Sequence, residues 1–221
     1  AALSGLGFVA FRYGIRGMTL ERSPHETSVG ADFLRVLGTR AVVFGCVMAF
    51  AAYSLYLFIN SWLPSYLTAT FSISATLSGL IAALFPVMGV LSRSGGGYLS
   101  DRVFAGNRRR VLQLSFAVAS PVVAVMVYTA RLAVVVLLLV VAGFAIQLSF
   151  GVLYAYVRES VPESIAGTAL SFLGTAGMAG AFSAPLVTGE LIEYGGYPTA
   201  FAYAVTLGLV GSALAVTAPG G

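Results

Sequence analysis

The sequence predicts an all-α integral membrane protein with six transmembrane helices preceded by a polar linker. Three observations predict it. First, 58% of the 221 residues are hydrophobic and only 9% are charged, against about 25% charged in an ordinary soluble domain. A mean hydropathy of +0.93 agrees, and a chain this short cannot hide so much apolar surface in a water-soluble core. Second, six long apolar runs follow one another, near 41–64, 73–92, 111–130, 132–157, 165–191 and 198–217. Third, arginine is distributed unevenly between the loops that join them.

Each run is long enough to cross a hydrocarbon core about 30 Å thick at about 1.5 Å per residue. Lipid cannot satisfy free backbone groups, so the runs must be helices. A β-barrel would need alternating strands of about 10 residues, and these runs are continuous. Before them, Ala1–Ala10 is apolar but too short to span. It lacks the basic start and cleavage site of a signal peptide, so 1–11 reads as the remnant of an earlier transmembrane helix. Residues 12–40 are the most polar stretch and form a linker, with a short amphipathic helix expected around Asp32 to Leu37. The bundle occupies 41–217, and 218–221 is a tail.

With six crossings, loops alternate between two sides. Arg12, Arg16, Arg22, Arg35, Arg40, Arg93, Arg102, Arg108, Arg109, Arg110 and Arg158 fall on one side, and Arg131 alone on the other. This asymmetry makes the arginine-rich side cytoplasmic, and with it the linker, the loop near 93–110 and the C-terminus. It also accounts for the net charge of +4 without invoking nucleic acid. Every basic residue is arginine, which fits a GC-rich prokaryotic source. Aromatic belts are expected at Trp62, Tyr66, Tyr128, Tyr194 and Tyr197 on the outer side. Tyr98, Phe104 and Tyr156 would mark the inner one. Pro86, Pro121 and Pro185 interrupt three runs and are expected to kink them.

Little here suggests catalysis. One cysteine, Cys46, and one loop histidine, His25, form neither a disulfide nor a clustered metal site. No nucleophile has a plausible base, so no enzyme, metal or cofactor is expected. The polar residues inside the runs are a different matter. Tyr53, Tyr56 and Asn60 share one face of the first helix, and Gln147, Ser149 and Tyr154 lie in the fourth. Such groups avoid lipid, so they face other helices or a solute cavity. No charged residue is expected in the middle of any span, and this half of a cavity would be neutral and aromatic.

The segment Gly95–Arg110 reads GGGYLSDRVFAGNRRR. It resembles the loop signature of the major facilitator superfamily (MFS), G-x-L-a-D-R-x-G-R-R, which joins the second and third helices of each six-helix half. Gly97, Leu99, Asp101 and Arg102 match directly. Gly106, Arg108 and Arg109 match after extra residues between Arg102 and Gly106. A second match is Glu159–Ala169, similar to the E-x-x-P-x-x-x-R-G-x-A found between the fourth and fifth helices, with Ala166 in place of the basic residue. The fifth helix that follows is lined with small residues, including Gly174, Gly177 and Gly180, and contains Pro185. These allow close, sliding contact.

The resemblance implies the C-terminal half of such a transporter, its helices corresponding to 7–12 of the family. It implies an alternating-access secondary carrier of a small solute, with Asp101 holding a gate. The partners implied are the lipid bilayer, a small-molecule solute, and an N-terminal six-helix half or a second copy of this chain. A proton-coupling group, if any, would lie in that other half. The alternative is a non-transporting membrane receptor or scaffold on the same fold.

Overall fold

The computed structural model describes residues 29–219. The helix remnant expected at 1–11, the first part of the linker and His25 lie outside the described residues. Helices account for nearly everything else, and among the described residues there is no strand. They are α1 (Val29–Gly38), α2 (Arg40–Phe71), α3 (Ala75–Tyr98), α4 (Arg108–Tyr128) and α5 (Leu132–Glu159), followed by the run Glu163–Thr217.

That last run is too long for one crossing. Fifty-five residues would extend about 80 Å at 1.5 Å per residue, more than twice the hydrocarbon thickness. It is divided at Gly196, whose φ of 74° and ψ of −175° are not helical and are readily adopted only by glycine. The two pieces are α6 (163–195) and α7 (197–217). The Thr199 hydroxyl donates to the Leu191 carbonyl at 2.6 Å, with the Gly196 carbonyl at 2.7 Å. It thereby satisfies backbone groups that the break leaves without partners. Pro198 sits at the start of α7, where its missing N–H costs nothing.

Six apolar helices therefore follow α1. α2 packs against α3, α5, α6 and α7, while α3 packs on α5, and α4 on α5 and α7. Between helices in a membrane there is no hydrophobic drive, so close approach and hydrogen bonds hold them together. Gly180 of α6 lies against the Phe50 carbonyl and Ser54 of α2, and the Ser54 hydroxyl donates to the Gly180 carbonyl at 3.1 Å. Ser92 of α3 donates to the Phe144 carbonyl of α5 at 2.6 Å. Ser115 of α4 donates to the Ala145 carbonyl, also at 2.6 Å. Phe58, Leu67, Phe116, Leu139 and Ile146 fill the core between them.

Several sequence expectations change here. α2 continues through Pro64 to Phe71, seven residues beyond the apolar run. α3 does not end at 92. It continues past the three glycines to Tyr98 and then through a π-helical turn, Leu99–Val103. The glycines do not end the helix because they are packing positions: a Cβ on Gly96 would lie 2.7 Å from the Leu148 carbonyl of α5. Arg93 is thus inside a helix rather than in a loop. Pro86, Pro121 and Pro185 lie inside α3, α4 and α6.

Two of the tyrosines assigned to the aromatic belts are buried and tie α2 to α4 and α5 to the residues after α7. Tyr66 is buried and donates to the Met126 carbonyl at 3.1 Å, and Tyr156 is buried and donates to the Pro219 carbonyl at 3.1 Å. Tyr98, Tyr128 and Tyr194 do stand exposed near helix ends.

Candidate functional site

Four helices contribute to one open, polar face. From α2 come Tyr53, Tyr56 and Asn60, each half-buried. Tyr53 stacks on Phe150 of α5 with ring centroids 4.5 Å apart, and Tyr56 lies 5.5 Å from the same ring. Tyr53 also lies beside Tyr154 and within the field of Arg93. The Tyr154 hydroxyl in turn faces Gly174 of α6. Gly177 lets α6 come against the Tyr53 ring, where an added Cβ would sit 2.9 Å from it. Spacings of three and four residues bring 53, 56 and 60 to one helical face, and the ring of Phe150 serves as their common floor.

Arg93 completes the cluster. Its guanidinium lies over the Phe150 ring, 5.3 Å from the centroid, and its side chain is exposed. Ten residues separate it from the end of the π turn at Val103, about 15 Å at 1.5 Å per residue. The ring face attracts the cation, but no carboxylate pairs with it among the described residues. The reading that put Arg93 in a loop is therefore corrected: it lies inside α3, a helix long and apolar enough to cross a membrane. Hydropathy alone hid Arg93, because it precedes a glycine run that reads as a loop. The signal was the Asp101-Arg102 motif, whose end of the helix must lie about two turns beyond Arg93.

Not every polar candidate reaches this face. Gln147 is buried and donates to the Phe85 carbonyl of α3 at 2.6 Å, with the Gly143 carbonyl at 3.2 Å. Ser149 is buried and donates to the Ile146 carbonyl. On the face itself, Asn60 spends its amide N–H on the Tyr56 carbonyl at 2.9 Å. Sequence reasoning missed Arg93 and Phe150, while Gln147 is placed as a bridge between α3 and α5.

A second constellation sits at the arginine-rich end. Asp101, in the π turn, accepts from Arg108 at 2.5 Å, and Arg108 also donates to Glu159 at 3.0 Å. One guanidinium thus joins the end of α3, the start of α4 and the end of α5. Both carboxylates hold the Arg108 pKa above its ordinary value, the Glu159 hydrogen bond most of all. The turn between is made by Ala105 (φ 51°) and Gly106 (φ 83°), and the Gly106 N–H donates to the Ser100 carbonyl at 2.8 Å. Of the residues between Arg102 and Gly106, Val103 ends the π turn, and Phe104 and Ala105 form the bend and turn that follow. Asn107 caps α4 by accepting from the Arg110 N–H. Arg109 donates to the Val216 carbonyl and Gln113 to the Ala215 carbonyl, a cation and an amide on the last carbonyls of α7. Arg102 and Gly97 stay free of such contacts, and Leu99 packs on the core. The Pro185 carbonyl accepts from Trp62 Nε1 at 3.3 Å.

The six long apolar helices define a multi-pass membrane protein. The family model described as Major Facilitator Superfamily matches residues 33–219, and the chain belongs to that family. Among bacterial relatives, it is 34% identical over 64% of its length to a protein named probable sulfoacetate transporter SauU from Cupriavidus necator. It is 28% identical over 73% of its length to a probable galactarate/D-glucarate transporter, GudP, from Pseudomonas putida. It is 31% identical over 56% of its length to a nitrate/nitrite transporter, NrtP, from a Picosynechococcus strain. The matches cover 34%, 36% and 23% of those proteins, so the chain spans about a third or less of each relative's length. A solved peptide transporter, POT, superposes with a TM-score of 0.74 over 81% of this chain and 37% of its own, at 17% identity. That is a likeness of fold.

Proposed function

We propose that this chain is the C-terminal six-helix half of an alternating-access transporter for a small anion, with its arginine-rich end in the cytoplasm. The observation that carries this reading is Arg93, an exposed guanidinium inside a membrane-spanning helix, set over Phe150 beside Tyr53 and Tyr154. A charge at that depth is costly and is retained where a solute path needs it. Its N–H groups form a rigid fork suited to a carboxylate, sulfonate or nitrate, and the tyrosine hydroxyls offer further donors. The names of the relatives support the anion: sulfoacetate, galactarate or glucarate, and nitrate.

The other half of the cavity is contributed by an N-terminal six-helix bundle, against which this one rocks around a site near the midplane. The Asp101–Arg108–Glu159 network makes the cytoplasmic ends of α3, α4 and α5 move together during that rocking. Glu190 and Glu193 lie near the far end of α6, away from Arg93, so a proton-coupling carboxylate is assigned to the other half.

Proteoliposome uptake tests the proposal, with the N-terminal half supplied or withheld and with nitrate, sulfoacetate and glucarate offered in turn. Uptake of one anion, only with both halves present and lost in Arg93→Gln, is the expected result. Undiminished uptake by Arg93→Gln would remove Arg93 from the site. Uptake by this chain alone would replace the missing half with a second copy.

A further inference from the structure

Arg93 stands on a backbone that is fixed on both sides. One residue earlier, the Ser92 hydroxyl donates to the Phe144 carbonyl of α5 at 2.6 Å. Three residues later, α3 lies so close to α5 that a Cβ on Gly96 would sit 2.7 Å from the Leu148 carbonyl. At Arg93 itself the α5 residue alongside is Gly151, whose added Cβ would be 3.6 Å from the Arg93 carbonyl. The stem of the arginine is therefore referenced to α5. Its long side chain lacks such fixing. It is exposed, and its guanidinium makes no salt bridge or hydrogen bond among the described residues.

What meets the guanidinium is the ring of Phe150, the residue before Gly151 on the same helix, with 5.3 Å between Cζ and the ring centroid. Phe150 is only 6% exposed. Its ring is braced in turn by Tyr53 at 4.5 Å and Tyr56 at 5.5 Å between centroids. It is thus a fixed surface, and an aromatic face attracts a cation without carrying a net charge. A carboxylate in its place would cancel the arginine's charge and take its N–H groups, as Asp101 and Glu159 do with Arg108. The ring steadies the guanidinium and leaves both charge and donors for an incoming anion. A side chain held beforehand does not have to be ordered when the solute arrives, which strengthens binding.

We infer that Phe150 is a positioning residue of the anion site: it sets where the Arg93 guanidinium waits, and through Arg93 how tightly the solute is held. This rests on the assignment of Arg93 to the anion path. A buried phenylalanine also packs, and the two roles require different things of the ring. Packing requires volume and shape, which ring fluorines change little. Holding a cation requires electron density on the ring face, which each added fluorine withdraws.

The test places phenylalanines with one, two and three ring fluorines at position 150. Uptake is measured in proteoliposomes with the N-terminal half supplied, and nitrate, sulfoacetate and glucarate are offered in turn. For the transported anion, KM should rise with each fluorine, to roughly 2- to 30-fold at the end of the series, with Vmax within about twofold. Tm should not change. Phe150→Tyr keeps a cation-binding ring and should hold KM within about twofold of the parent, whereas Phe150→Leu, which keeps only apolar packing, should raise it as full fluorination does. A flat KM across the fluorinated series, with uptake still lost in Arg93→Gln, would reduce Phe150 to packing and leave the anion site standing. Undiminished uptake by Arg93→Gln, or no uptake of any of the three anions, would overturn the anion site and this role with it. The fluorinated rings keep the shape of phenylalanine, so the series decides even where Phe150→Leu does not fold.

Discussion

α2 and α3 are neighbours, both long and apolar enough to span, yet the bundle uses them in opposite ways. α2 buries fourteen residues, large ones such as Met48, Leu55, Phe58 and Leu67 among them. α3 buries five: Ser78, Phe85, Gly89, Ser92 and Gly96. α2 is therefore a core helix. α3 is docked along a narrow seam on α5 through close backbone approach and the hydrogen bonds of Ser92 and Gln147. Its remaining surface is left for lipid, for solute at Arg93 and for another bundle. Hydropathy scores the two helices alike because lipid and a protein interior are equally apolar. Burial separates them, and function follows the less buried one.

Substitutions can break this contrast, beginning with the most severe. Gly180→Leu should prevent stable folding or cost several kcal/mol, because α6 lies there against the Phe50 backbone of α2, which cannot move aside as a flexible side chain would. Loss of the folded fraction in gel filtration, or a large fall in Tm, checks it. Arg93→Gln should leave Tm nearly unchanged and reduce anion uptake by roughly 10- to 100-fold, the range for a lost charge-assisted hydrogen bond. Arg93→Lys should recover part of it. Gln147→Leu should lower stability by about 0.6–2 kcal/mol by removing the seam's hydrogen bond to the Phe85 carbonyl, readable as a shift in denaturant midpoint. Arg108→Gln should cost about 1 kcal/mol or less, since its partners Asp101 and Glu159 are half exposed or more and solvent screens them. Smallest of all, Gly79→Leu on the open side of α3 should fall within about 0.5 kcal/mol of no effect, since nothing lies within 4 Å of an added Cβ. A large destabilisation by Gly79→Leu in this chain alone would contradict the division between the two helices.

Much of the polar chemistry was legible in part. The motif residues Asp101 and Arg108, and Glu159 of the second motif, could be named from order and spacing, because loop signatures are local. Their convergence on a single guanidinium could not, since Arg108 and Glu159 stand 51 residues apart. Tyr53, Tyr56 and Tyr154 were identified from polarity within apolar runs. The same signal named Gln147 and Ser149, which the fold turns inward, because polarity within a span marks a need for partners and does not say which partner answers it.

By itself the sequence determined the solvent, the helical state and nearly all of the crossings. Those follow from a 30 Å hydrocarbon layer that admits only satisfied backbone, and this constraint acts on each segment separately. Tertiary structure alone decided that α3 runs on past Arg93 and that Phe150 gathers three helices' polar groups beneath one open face. These depend on contacts between residues far apart in the chain: Gly96 against the Leu148 carbonyl, Gly177 against Tyr53 and Arg93 over Phe150. No local pattern records such contacts, because their energies exist only when helices distant in sequence are brought together.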